Sequence, residues 1–208
     1  MGNIFDLFKQ IGGESTPKQP ISALVVGLGN PGKEYEATRH NMGFMAIDRL
    51  AEKHGARMDR LRFKALTAEC DIGGRRVLLM KPETFMNRSG DAVAEAARFY
   101  KIPPESIIVL CDDISFEPGK MRIRLRGSHG GHNGLRSIVD CLGSDGFVRL
   151  KLGVGQKPTK DYDLASWVLS RFPKEAEAAA TSVFDSAAEA VSLILDGKSE
   201  RAMTLYSK

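Results

Sequence analysis

Cysteine is scarce: Cys70, Cys111 and Cys141 are scattered through 208 residues, with no C-x-x-C pair among them. An odd, widely spaced set supports neither a disulfide framework nor the usual zinc spacings, and it fits a reducing cytosol. Long apolar runs are missing too. No stretch approaches the roughly 20 residues that span a bilayer, which argues against a transmembrane protein. No internal repeat occurs. The opening MGNIFDLFKQ lacks the basic start, the longer apolar stretch and the small-residue cleavage site of a secretory signal. Asp6 stands where myristoylation at Gly2 would want Ser or Thr.

What remains is the composition of a folded chain. Hydrophobic residues make up 42% and charged residues 27%, far from the disordered extreme, and this length buries a sizeable core without staples. Gly12 to Pro20 is rich in Gly, Ser, Thr and Pro and reads as a linker. Residues 1–20 are therefore expected to be an extension and 21–208 one domain. Net charge is +4, yet Glu117 to Lys160 alone carries nine Lys/Arg against three Asp/Glu, a local excess of +6. That is the electrostatic footprint of a polyanion site, or equally a solvated face.

Periodicity gives the outline. Ile21–Leu28 and Ser106–Cys111 read as buried strands, and Lys120–Leu125 and Phe147–Val154 as further ones. Residues 66–71 and 75–80 flank Gly73-Gly74, a hairpin signal. Helical spacing marks 43–54, 89–100, about 133–142, and an alanine-rich 174–196 that follows Pro173. Strands alternating with helices predict a single α/β domain, a central mixed β-sheet flanked by helices.

Several motifs carry chemistry. Gly27-Leu28-Gly29-Asn30-Pro31-Gly32 matches G-x-G-x-x-G after a strand, the fingerprint that would suggest a nicotinamide-dependent oxidoreductase. The context fails: Pro31 removes an amide, KEYEATRHN delays the helix, and the acidic residue about 20 positions on is absent. The glycines instead permit a sharp turn that presents Asn30. His40 lies at a loop-to-helix junction near a strand end, where an imidazole can act as a general base if a carboxylate fixes its tautomer. Asp112 or Asp113, closing another strand, could supply it, or the pair could simply shape a turn. His54, ahead of Gly55, reads as a helix-end residue. In GSHGGHNG, His129 and His132 at i, i+3 could ligate a metal, but no third ligand has recognisable spacing, and a metal-free site is expected. Arg122, Arg124 and Arg126 alternate with apolar residues, so a strand would put all three forks on one face. In TFMNRSG, Phe85 and Met86 read first as core or rim, and Asn87 as a helix cap.

Taken together, GLGNPGKEYEATRHNMG, KPETFMNRSG, VLCDDISFEPGKMRIRLRGSHGGHNGLRSI and FVRLKLGVG resemble bacterial peptidyl-tRNA hydrolase, in order from about Leu24 to the C-terminus. The resemblance implies an enzyme that cleaves the ester between a peptide and the 3′ end of tRNA. It implies neither metal nor cofactor, and a cytoplasmic monomer with tRNA as its partner. By the resemblance, His40 corresponds to the catalytic base and Asp112 to its carboxylate partner. Asn30, Asn87 and Asn133 match polar residues holding the substrate near the scissile bond, and Tyr35, Met86 and His132 line the same cleft. Arg124 and Lys151 match a basic pair for the tRNA 5′ phosphate. Lys151 keeps the charge but not the bidentate fork of the arginine often found there. The chemistry is coherent: without a nucleophile elbow, an esterase must activate water, and a neutral Asn amide can serve the oxyanion. The alternative is a non-catalytic RNA-binding module of the same fold.

Overall fold

The computed structural model describes residues 19–207, so the extension expected over residues 1–20 lies almost wholly outside the described residues. In chain order the elements are β1 (Ala23–Gly27), α1 (Met42–Lys53), β2 (Arg60–Arg62), β3 (Ala65–Ile72), β4 (Arg75–Pro82), α2 (Ser89–Tyr100) and β5 (Ile107–Asp113). They continue with β6 (Met121–Arg124), α3 (Asn133–Leu142), β7 (Val148–Gly153), α4 (Leu164–Val168), α5 (Lys174–Thr181), α6 (Val183–Leu195) and α7 (Ser199–Tyr206). The seven strands form one mixed sheet in the order β2-β3-β4-β1-β5-β7-β6. β4, β1, β5 and β7 run parallel, and β2, β3 and β6 are antiparallel flanks.

Alternation along the strands builds a core on each face. Ala23 and Val25 point toward α1 and α6, while Leu24 and Val26 point toward α2 and α3. β1 is buried at every position, as a parallel strand covered on both faces should be. Between β3 and β4, Gly73 and Gly74 take φ of 58° and 75°, the pair of positive angles that a tight hairpin turn demands.

The glycine that ends β1 and the one near the start of α1 have a packing reason. A Cβ on Gly27 would lie 2.2 Å from the Gly43 carbonyl oxygen, and one on Gly43 would lie 2.3 Å from Leu28 N. The start of α1 therefore rides directly on the backbone leaving β1. Phe44 N donates to Leu28 O at 3.2 Å, and Leu28 N to Leu110 O at 2.9 Å. Chain order runs β1 to β4 on one side and then across to β5 on the other, so the direction of winding reverses between β1 and β5. The carboxyl ends of two such strands leave a crevice between their loops.

Some boundaries differ from the sequence pattern. The expected helix 174–196 breaks at Ser182, where Thr181 Oγ1 and Ser182 Oγ donate back to Glu177 O and Ala179 O, bonds that bend helices. The two pieces together, Lys174–Leu195, are long and apolar enough by composition to cross a membrane at a mean hydropathy of 1.3. The reading of short apolar runs missed this. Phe184, Ala187, Ala188, Val191 and Leu195 are buried in the core beside α1. β6 stops at Arg124, ahead of exposed Leu125, so Arg126 does not join Arg122 and Arg124 on the strand. The short elements β2, α4 and α7 carry no pattern that periodicity detected.

Candidate active site

The loops leaving β1 and β5, the turn after β4 and the glycine-rich loop before α3 enclose a cleft of about 760 Å³. Asn30, His40, Met86, Asn87, Asp112 and Asn133 line it, with His132 and Lys151. Tyr35 sits outside this lining, edge-on to Phe85 with ring centroids 6.5 Å apart. Arg124 is exposed at the end of β6, opposite Arg149 and two pairs along the ladder from Arg122 opposite Lys151.

Asp112 sits in the last turn of β5 pleating with only 4% of its surface exposed. Its Oδ1 lies 2.8 Å from His40 Nδ1 and 3.0 Å from His132 Nε2. Burial pushes this carboxyl upward, but the two imidazoles outweigh burial and hold it well below the usual carboxylate range. An ionised carboxylate only accepts, so both ring nitrogens facing it are donors. For His132 the other side agrees: Nδ1 accepts the Leu135 amide at 3.3 Å and caps α3. In His40, bonding through Nδ1–H leaves Nε2 as the lone-pair nitrogen, and it has no partner among the described residues. The two rings are 5.2 Å apart.

The neighbouring aspartate faces elsewhere because successive strand residues point to opposite faces. Asp113 Oδ2 accepts from Lys151 Nζ at 2.8 Å, and its Oδ1 from Ser115 N at 2.7 Å. These bonds draw its carboxyl below the usual value against the opposing effect of burial. The choice that the sequence left open thus resolves geometrically: Asp112 meets the histidines, and Asp113 meets the lysine.

Asn30 is held from three directions. Its side-chain Oδ1 accepts from Met86 N at 2.8 Å. Its backbone N–H donates to Asn41 Oδ1 at 2.8 Å, and its backbone carbonyl accepts from Asn41 Nδ2 at 2.9 Å. With Oδ1 committed, Nδ2 is the donor left for the cleft. Asn41 is itself 2% exposed, and sequence reading missed it; its position directly after His40 was the available signal. Phe85, beside Met86, adopts φ 57° and is 55% exposed at the cleft rim. A bulky residue in the left-handed region is uncommon, and here it turns the ring outward while Met86 turns in.

Donor atoms of His40, Asp112 and His132 all lie within 4.8 Å of one another, a cluster a metal could in principle use. The 2.8 and 3.0 Å separations are charge-assisted hydrogen-bond lengths. Ligand atoms about 2.1 Å from a tetrahedral zinc stand roughly 3.4 Å apart. His129, the partner suggested by i, i+3 spacing, instead accepts the Gly131 amide at 3.1 Å. As arranged, the donor set is hydrogen-bonded rather than ligating.

The profile of the family described as peptidyl-tRNA hydrolase matches residues 24–208. The chain belongs to the peptidyl-tRNA hydrolase family. It is 50% identical over 185 residues to the peptidyl-tRNA hydrolase of Lachnoclostridium phytofermentans, covering 89% of this chain and 96% of that protein. It is likewise 50% identical over 184 residues to that of Caldanaerobacter subterraneus subsp. tengcongensis, covering 88% and 98%. Among solved structures, peptidyl-tRNA hydrolase from Acinetobacter baumannii superposes with a TM-score of 0.83 at 38% identity, covering 89% of this chain and 96% of that one. Within this peptidyl-tRNA hydrolase fold, the cleft sits where the winding of the parallel strands reverses, and a short apolar wall closes its far side. That wall is α4 and the residue after it, contributing Leu164, Ala165, Val168 and Leu169. The helix is started by Asp163, whose side chain accepts the Ser166 amide at 2.7 Å.

Proposed function

We propose that this protein hydrolyses the ester joining a peptide to the 3′ end of tRNA, with His40 as the base that activates water. The observation that carries this reading is the 2.8 Å bond from His40 Nδ1 to buried, ionised Asp112. That bond fixes the tautomer, leaves Nε2 to accept a proton in the cleft, and stabilises the imidazolium that forms. Water attacks the ester carbonyl as its proton passes to Nε2. The oxyanion of the tetrahedral intermediate takes the Nδ2 donor of Asn30. Collapse expels the ribose 3′ oxygen, which regains the proton from His40. One well-placed neutral donor of this kind lowers the barrier by about 3 kcal/mol.

Asn87 and Asn133, exposed on the cleft rim, offer both donor and acceptor to peptide backbone, which suits a substrate with arbitrary side chains. Met86 and His132 shape the walls, and Tyr35 backs Phe85 at the rim. Arg124 and Lys151 take the phosphate end of the acceptor stem, where the basic 117–160 region supplies the field. The protein acts as a monomer in the cytoplasm.

The test is release of peptide from N-acetyl-aminoacyl-tRNA, with unblocked aminoacyl-tRNA largely spared. His40→Ala should abolish turnover while leaving salt-dependent tRNA binding in place. Binding without cleavage by the unaltered protein would instead support an RNA-binding role.

A further inference from the structure

The residue beside the proposed base points the opposite way, into the wall. Arg39 is 4% exposed. Its Nη1 donates to Ser170 Oγ at 2.6 Å and to Arg171 O at 2.7 Å. Its guanidinium carbon lies 3.7 Å from the Trp167 ring centroid and 4.8 Å from that of Phe172. No carboxylate pairs with it among the described residues. The backbone repeats the join: Arg39 N donates to Ser170 O at 3.1 Å, and Thr38 bridges Arg171. Trp167 in turn is pinned to the end of the sheet by Nε1 donating to Gly155 O at 3.0 Å. The wall needs this anchoring because residues 159–166 are exposed throughout and α4 is a single turn and a half.

We infer that Arg39 is a positioning residue that sets the α4 wall at a fixed distance from His40, so that the peptide part of the substrate is held in register with the attacking water. The inference rests on the esterase reading given above. A planar guanidinium suits the position because its face lies against the Trp167 and Phe172 rings while Nη1 bridges a hydroxyl and a carbonyl. A lysine keeps the charge and loses the flat face that meets the rings. Since Arg39 touches the wall and not the imidazole, its loss should act on how the peptide is held, not on the proton transfer.

The chain holds one tryptophan, so Trp167 fluorescence reports the wall directly. In Arg39→Gln, iodide quenching of Trp167 should rise about twofold and KM for N-acetyl-aminoacyl-tRNA about tenfold, with kcat and its acid limb unchanged. Arg39→Lys should fall between. Ser170→Ala, which removes a partner from the wall side, should move quenching in the same direction and serves if Arg39→Gln does not fold. In Arg39→Gln combined with Trp167→Phe, the KM effects should be less than additive. Unchanged quenching and KM in a folded Arg39→Gln would overturn the inference, as would a shift confined to the acid limb of kcat. No turnover by the unaltered protein would instead defeat the esterase reading, and the quenching experiments would still show whether Arg39 holds the wall.

Discussion

Asp112 does two jobs through one oxygen, and substituting it separates them. Asp112→Asn keeps the size but removes the negative charge, and it can offer its amide donor where two N–H groups already point. The His40 tautomer is then unfixed and the imidazolium unsupported, so kcat should fall roughly a thousandfold or more in a protein that still folds. A circular dichroism spectrum and a blocked-tRNA assay check both halves. The pH sign follows from the lowered Asp112 value. Stability contributed by this carboxylate is fully present above the unfolded value of about 4 and drains only as pH falls below it. The advantage of the unaltered protein over Asp112→Asn in urea unfolding should accordingly hold at pH 7 and shrink only below about pH 4. Asn41 makes a contrasting case because it is buried behind Asn30 and does not line the cleft. Asn41→Ala strips two partners from the Asn30 backbone, leaving buried groups unsatisfied. Stability should drop by about 2 kcal/mol, with a loss of kcat as the Asn30 amide swings from its place. A variant as stable and as active as the original would remove Asn41 from the support of the site.

At the scale of elements, the join of β1 to α1 is the most demanding contact. A Cβ on Gly43 would meet Leu28 N, Leu110 O and Leu28 O at 2.3–2.5 Å, all of them backbone atoms with no rotamer to yield. Gly43→Ala should therefore destabilise by about 3 kcal/mol, the upper end for overpacking, and displace His40 with it. Chemical denaturation measures the first effect and turnover the second. The same join shows what a sequence discloses. The hairpin at Gly73-Gly74 and helix α2 were legible because turn chemistry and a stripe of Val93, Ala96 and Ala97 are local properties. That Gly27 and Gly43 meet across 16 positions was not, so the glycines after β1 read as a turn alone. Asn30, His40 and Asp112 could be nominated by residue type at strand ends. That His132 donates to the same Asp112 oxygen as His40 could not, since the partners are 20 and 72 positions away and only the sheet brings them together. The three-residue β2 and five-residue α4 are too short to show any period, and α4 is tied down by distant partners, Arg39 and Gly155, that no local pattern reveals.

Across the whole molecule, the basic excess between Glu117 and Lys160 is less available than its count suggests. Lys151 spends part of its field on Asp113, 2.8 Å away, whereas exposed Arg124 makes no ion pair among the described residues. If these two cations take the phosphate end of tRNA, removing each should have a different signature. Arg124→Ala deletes one phosphate contact, so binding weakens and the slope of log K against log salt flattens by about one. Asp113→Asn does the reverse: Oδ1 can still accept the Ser115 amide, while the carboxylate that competes with phosphate for Lys151 is gone. Its affinity for tRNA should rise severalfold at low salt and the gain should fade as salt screens it. Because Asp113 hydrogen-bonds Lys151 and Ser115 and neither histidine, kcat should not change. Fluorescence anisotropy with tRNA across a salt series decides the matter. Equal slopes for Arg124→Ala and the unaltered protein would free Arg124 from the phosphate. Weaker binding by Asp113→Asn would mean that the carboxylate positions Lys151 for tRNA rather than competing for it.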